Sequence, residues 1–317
     1  MENSRIWILG CTAIVGAALG GCASTGGGGG GGATLNAVYA EDAGTVGEAL
    51  ASGETLMAYT SSMSLSAVRE NGVWQSDPAS PQFSLVLNDE GGIDVTIDGK
   101  TVSFTAADLS GEYGWESGDD GVFTWSADSA QQALDGDAFG QYHQVWSYFW
   151  HPEDTMYNGF AVIGTETTPD AVAAQSASAT YSGWAAADAY FAGSESDTRT
   201  RLFGDLALAA DFDAGTIGGT MSNIGVRVRS DGDWGATTDL DGTIALETSS
   251  ISGNGYSGTL APDATLESEL AMEDFEGGYG GKFYGPDAEE AGGTLGFTGV
   301  SDGDAVVGAG FFTALQD

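Results

Sequence analysis

Basic residues are scarce: 8 Lys and Arg stand against 46 Asp and Glu, a formal net charge of −38. Binding a nucleic-acid backbone needs clustered cations that displace counterions from phosphate. Eight cations scattered through 317 residues exclude DNA and RNA as partners. The same charge excludes electrostatic docking on anionic lipid head groups, so any membrane attachment must be covalent or hydrophobic. Histidine occurs twice and cysteine twice. With so little imidazole, and no G-x-S-x-G elbow, a Ser-His-Asp hydrolase has nothing to draw on. Gly277 to Lys282 has the glycines of a phosphate loop, but Glu276 and Phe283 occupy the two positions that would define one. Carboxylates are too numerous for any pair to stand out as a glycosidase dyad. The acidic loops at Asp231-Gly232-Asp233 and Asp239-Leu240-Asp241 lack the ligand spacing of a calcium loop and read as solvated turns. No metal site and no enzyme is expected.

A long hydrophobic run is also missing. The one apolar stretch, Ile6 to Leu19, is too short to span a bilayer comfortably and reads as the core of a secretory signal peptide. Its end, Leu19-Gly20-Gly21-Cys22, resembles the bacterial lipobox, in which small residues precede a cysteine that is acylated before cleavage. Cys22 is then the first residue of the mature chain and its attachment to the lipid bilayer. Cys11 is lost with the leader, so no disulfide, thiol nucleophile or cysteine metal site survives. Two or three acyl chains anchor stably where one is marginal. Ala23-Ser24-Thr25 places no Asp beside Cys22, which by resemblance to Gram-negative lipoproteins favours the outer membrane; whether the surface or the periplasmic face is occupied stays open. Gly26 to Gly32 has no side chains to pack and acts as a flexible tether.

Hydrophobic residues make up 42% of the chain and aromatics 10%, enough for a real core despite the charge. Between frequent glycines they alternate rather than recur at helical spacing, which predicts an all-β fold with minor helix. The clearest strand is Leu202 to Phe212, followed by the Asp213-Ala214-Gly215 turn into Thr216 to Ser222, a hairpin signal. Other strands are expected at Ala179–Asp188, Gly242–Ser250, Tyr256–Ala261, Leu266–Tyr284, Thr294–Thr298 and Ala305–Ala314. Together they suit a C-terminal eight-stranded antiparallel β-barrel. A smaller β-rich domain precedes it, with strands such as Phe83–Asn88, Ile93–Ile97, Gln144–Trp150 and Gly159–Gly164, and short helices at Val46–Met57 and Ser126–Leu134. The expected plan is a signal peptide over 1–21, lipidated Cys and tether over 22–33, an N-terminal domain over 34–165, a polar Ala-rich linker over 166–178 and the barrel over 179–317.

The run Gly281-Lys282-Phe283-Tyr284-Gly285-Pro286-Asp287-Ala288-Glu289-Glu290-Ala291-Gly292-Gly293 fits G-x-F-[YF]-G-P-x-A-x-E-x-G-G. It resembles the C-terminal barrel domain of the transferrin-binding protein B family of surface lipoproteins, as do Ala179-Thr180-Tyr181-Ser182-Gly183, Asn254-Gly255-Tyr256-Ser257-Gly258 and Val306-Val307-Gly308-Ala309-Gly310. The resemblance implies a non-enzymatic, outer-membrane-anchored lipoprotein that binds a solute or a protein, with iron or haem acquisition as the family's theme. The alternative is a structural or adhesive envelope lipoprotein that captures nothing. Thr294-Leu295 departs from the pattern, no transferrin-contacting lobe is recognisable in the N-terminal half, and the chain is much shorter than a two-lobed receptor, all of which argue against transferrin itself. Physically, Gly285-Pro286 ends a strand, Asp287 to Ala291 suits one helical turn, and Gly292-Gly293 supplies positive φ for re-entry into the sheet. Glu290 is placed to hydrogen-bond backbone across the corner. The motif reads as structural, without marking a binding site.

Both histidines fall in the aromatic stretch Gln141 to Phe160. His143 or His151 could be an axial haem ligand. On one strand they lie about 26 Å apart, so they cannot share one iron. The competing reading, which the ordinary abundance of aromatics in strands favours, is that Trp146, Tyr148 and Trp150 pack one face of a core strand. Haem is the single cofactor under consideration.

Overall fold

The computed structural model describes residues 37–66, 73–76, 82–97, 99–105, 109–110, 114–115, 140–150, 155–191, 199–230 and 233–317. The leader, Cys22, the glycine tether, the expected helix at Ser126–Leu134 and His151 lie outside the described residues.

The N-terminal unit opens with α1 (Ala40–Ala43) and α2 (Val46–Ala51). Thr45 and Glu48 cap α2 reciprocally, the Thr45 hydroxyl accepting from the Glu48 amide while the Glu48 carboxylate accepts from Thr45. The expected helix to Met57 ends at Ala51, because Leu56 and Met57 already belong to β1 (Leu56–Ser66). The following strands are β2 (Val73–Ser76), β3 (Phe83–Leu87), β4 (Ile93–Ile97), β5 (Lys100–Phe104), the short β6 (Leu109–Ser110) and β7 (Gly114–Trp115), β8 (His143–Trp150) and β9 (Thr155–Gly164). The sheet order is β5-β4-β3-β1-β9-β8, with β2 also on β1 and β6–β7 a separate pair. Alternation places Ile93, Val95 and Ile97 in a core with Phe83, Trp146 and Tyr148, which α2 covers through Val46, Ala49 and Leu50.

Then come α3 (Pro169–Ala174) and the strands β10 (Ser178–Phe191), β11 (Arg199–Asp211), β12 (Thr216–Ser230), β13 (Asp233–Trp234), β14 (Thr238–Asp239), β15 (Ile244–Ser252), β16 (Gly255–Pro262), β17 (Met272–Tyr284), β18 (Glu290–Ser301) and β19 (Asp304–Gln316). Eight of these close into an antiparallel barrel: β10-β11-β12-β15-β16-β17-β18-β19, with β19 pairing back onto β10. The two-residue strands β13 and β14 decorate β12. In β11, Leu202, Leu206, Leu208 and Ala210 are buried inward while Asp205, Ala207 and Ala209 face solvent, the alternation the sequence predicts. The expected long strand Leu266–Tyr284 is instead α4 (Ala264–Glu269) followed by β17. Asp263 nucleates that helix, its carboxylate accepting from the amides of Thr265 and Leu266 at 3.0 and 2.9 Å.

β8 and β9 are buried on both faces. Trp146, Tyr148, Ala161 and Ile163 join the N-terminal core, whereas Val145, Phe160 and Val162 pack on Ala186, Tyr284 and Phe311 of the barrel wall. Together with β1, whose Tyr59 lies against Gly280, these strands join the half-barrel sheet to the closed barrel.

Candidate functional site

The corner between β17 and β18 carries the sequence motif. Phe283 points into the barrel beside Tyr256, Phe212 and Tyr181, at ring distances of 5.2, 5.3 and 5.9 Å. Tyr284 points out and lies beneath the N-terminal unit, 1% exposed. Positive φ occurs at Gly285 (87°) and at Ala288 (62°). A side chain at Gly285 would also collide with Glu289 and the Tyr142 ring. Ala288 is held in its unusual conformation by burial and by the Tyr181 hydroxyl, which donates to its carbonyl at 2.8 Å. The expected helical turn over Asp287–Ala291 is absent, because β18 resumes at Glu290. Gly292 and Gly293 are likewise not positive-φ residues: they are paired in the ladder opposite Lys282 and Gly281. Their smallness serves close approach, since a Cβ on Gly292 would stand 2.7 Å from the His143 ring.

Glu290 does hydrogen-bond backbone across the corner, and the backbone belongs to the other unit. Glu290 is buried, and its carboxylate accepts from the amides of Gln141, Tyr142 and His143 at 2.6, 3.1 and 3.0 Å. It also lies 2.7 Å from His143 Nδ1, while Nε2 lies 2.6 Å from the Thr313 hydroxyl. The His143 ring is fully buried and stacks on Tyr284 at 5.0 Å. With a carboxylate at Nδ1 and a hydroxyl at Nε2, both ring nitrogens are engaged, so the packed imidazole has no lone pair to offer a haem iron. Trp146 and Tyr148, 0% and 1% exposed, pack the opposite face of β8.

A second strap runs alongside. The Glu166 backbone pairs with Val38 and Ala40, and its carboxylate takes Lys282 Nζ and Asn254 Nδ2. Thr167 donates its amide to the Phe283 carbonyl and its hydroxyl to the Gly285 carbonyl, at 3.0 and 2.6 Å. The segment read from the sequence as a polar linker begins as a layer between the units, then forms α3 behind the Thr168 cap.

The barrel interior is no vessel. Aromatic and aliphatic side chains fill it, leaving an apolar cavity of about 40 Å³ next to α4, bordered by Leu246, Leu260, Leu266 and Phe275. That is far below the roughly 300 Å³ at which small-molecule pockets begin. Among the described residues no group of three His, Cys, Asp or Glu side chains could hold a metal ion.

One feature escapes a sequence reading that treats the cations as scattered. Arg199 and Arg201 on β11 lie opposite Arg229 and Arg227 on β12, so half of the eight basic residues share one outer patch of barrel wall. Trp234 lies on it, its ring 4.9 Å from the guanidinium carbons of Arg199 and Arg201 and 5.4 Å from that of Arg227. Arg201 grips the buried carboxylate of Asp188 through Nε and Nη2 at 2.6 and 2.9 Å, and Arg199 Nη1 adds a contact at 3.1 Å. The available signal was the repeated Arg-x-Arg spacing in Arg199-Thr200-Arg201 and Arg227-Val228-Arg229.

Residues 155–315, just over half of the chain, match the family of C-lobe and N-lobe beta barrels of Tf-binding protein B. Similar solved structures include isotype 1 transferrin-binding protein B from Neisseria meningitidis serogroup B, 17% identical, TM-score 0.43, with 82% of this chain and 43% of that one covered. A Trp-176-Ala mutant of transferrin-binding protein B from Haemophilus parasuis Hp5 is also 17% identical, TM-score 0.42, with 82% and 44% covered. This chain therefore spans less than half the length of those proteins. No curated protein sequence matches it.

Proposed function

Because the chain belongs to the family of transferrin-binding protein B lobe barrels, we propose that it is a bacterial surface lipoprotein carrying one lobe-like body, which binds a protein partner on its outer walls. The observation that carries the reading is the family match over the closed barrel. The cavity of about 40 Å³ next to α4 has no room for a solute. In this account Cys22 is acylated and anchors the chain in the outer membrane, residues 22–33 are the tether, and 34–165 and 179–317 are the two units joined through 166–178. Transferrin is the named ligand of the relatives. In this account the partner of this chain is a protein.

Native mass spectrometry of the protein released from its own cells tests this. The expected species starts at Cys22, carries acyl chains and retains a protein partner, and Cys22→Ala abolishes both the acyl mass and membrane retention. An unacylated chain, or a stoichiometric haem mass, contradicts the reading. A bare acylated chain under every growth condition supports the structural envelope alternative.

A further inference from the structure

Of the eight basic residues only Lys100 and Lys282 end in an amine, and the amine of Lys282 lies in the second strap of the seam. β17 carries Lys282 opposite Gly255 of β16. A Cβ on Gly255 would stand 3.9 Å from Lys282 Cγ, so the lysine stem runs along the residue that follows Asn254. Asn254 is the second residue of the two-residue turn Gly253-Asn254 that joins β15 to β16, and Gly253 supplies a φ of 62° there. The Asn254 carbonyl accepts from the Phe283 amide at 2.9 Å, which pins the turn beside Lys282.

Both side chains end on one carboxylate. Lys282 Nζ donates to Glu166 Oε1, and Asn254 Nδ2 donates to Glu166 Oε2 at 2.8 Å. Nδ2 also donates to the Thr167 carbonyl at 2.9 Å, so both of its hydrogens are used and the carboxamide has a single orientation. The Glu166 side chain is 6% exposed and that of Lys282 30%, which shields the carboxylate from water while leaving a way out beside the amine. An ion pair needs only the lysine and the glutamate. An amine, a primary carboxamide and a buried acid–base group in mutual contact are the parts needed to join the first two.

We infer that Lys282 and Asn254 become joined by an isopeptide bond, with Glu166 as the group that moves the protons. The Lys282 ammonium passes a proton to Glu166, and the neutral Nζ attacks Asn254 Cγ. The Nζ–Cγ bond forms and the Cγ–Nδ2 bond breaks. Nδ2 takes one proton from Nζ and leaves as ammonia, which recovers the Glu166 proton as ammonium and regenerates the carboxylate. The step consumes no oxidant, reductant or co-reactant. Amides resist amines in solution, and fixed contact removes the encounter term from that barrier. Glu166 is seated by backbone hydrogen bonds to Val38 and Ala40 of the N-terminal unit, so the bond forms after the seam closes. It then locks β16, α4 and most of β17 into one covalent ring, a property beyond the binding role proposed above.

Peptide mapping of the full chain by mass spectrometry tests this. Cleavage after glutamate should release residues 248–267 joined to 277–289, lighter than the sum of the two peptides by one ammonia. Lys282→Arg keeps a cation beside Glu166 without a nucleophilic amine, and should give the two peptides separately at full mass. Glu166→Gln removes the proton acceptor and should do the same. Separate peptides from the wild type, or a joined pair from Glu166→Gln, would overturn the inference. So would an ammonia loss that stays within 248–267 and persists in Lys282→Arg, because that assigns the loss to succinimide closure at Asn254-Gly255. Wild type and Lys282→Arg decide the matter even if Glu166→Gln folds poorly. The readout is a covalent bond within the chain, so its failure is separable from failure to recover a protein partner.

Discussion

Glu290 is legible as a motif residue but its partners are not. They lie near residue 142, and nothing in local pattern links a carboxylate to amides so far away in sequence. His143 illustrates the converse: its residue type suggests iron, and only the packing shows both nitrogens in use. Gly292 faces that ring, so Gly292→Ala should cost about 1–3 kcal/mol through overpacking, read as a lowered urea midpoint with unchanged slope. Buried phenols give a second test. Burial pushes the hydroxyls of Tyr256 and Tyr284 well above 10.0, and those of Tyr181 and Tyr279 upward too. A folded-state pKa raised above its unfolded value contributes stability that is present below the unfolded value and lost as pH rises past it. The protein should therefore lose stability above about pH 10, with the tyrosinate absorbance of these four buried phenols appearing together with unfolding. Their gradual ionisation in the folded protein, followed residue by residue, would contradict that.

At the scale of elements, alternation and turn chemistry made most barrel strands and the β11–β12 turn readable. α4 was not, because Leu266 and Leu270 lie next to a strand with its own apolar spacing, and a short helix there competes with simple extension of β17. The Asp263 cap is what tips it. Accepting hydrogen bonds from the Leu266 amide, and with smaller effects from Thr243 and Thr265, lowers the Asp263 pKa. That contribution is present above the ordinary carboxylate range and is lost as pH falls through the lowered value. Asp263→Ala should speed hydrogen exchange at the Leu266 amide, and acid should do the same in wild type. β8 and β9 are unusual in serving two cores, which explains the dense aromatic run better than a cofactor pocket does. Phe160→Ala, removing a side chain that packs tilted against Phe311 at 5.1 Å, should cost about 3–5 kcal/mol and loosen the units from each other.

At the scale of the molecule, the excess of 46 acids over 8 bases makes self-repulsion a persistent cost. Raising salt from low to roughly physiological ionic strength should lift the melting temperature by about 5 °C; a flat response would show that the acids are spaced widely enough not to matter. Among the described residues the buried acids serve joints: Asp188 holds the arginines of β11, and Glu166 and Glu290 lie on the seam between units. That seam is the centre of the account. The corner from Gly281 to Gly293 works here as a latch through which the barrel holds the N-terminal sheet. The most direct test is urea unfolding followed by hydrogen exchange in β3–β5 and β10–β12 separately, in wild type and in Glu290→Gln. Wild type should unfold both regions in one transition. Glu290→Gln leaves three amide donors and His143 facing a neutral side chain, and should lower stability by about 3 kcal/mol and release the N-terminal sheet at lower urea than the barrel. Coincident, unshifted transitions in the variant would contradict the latch.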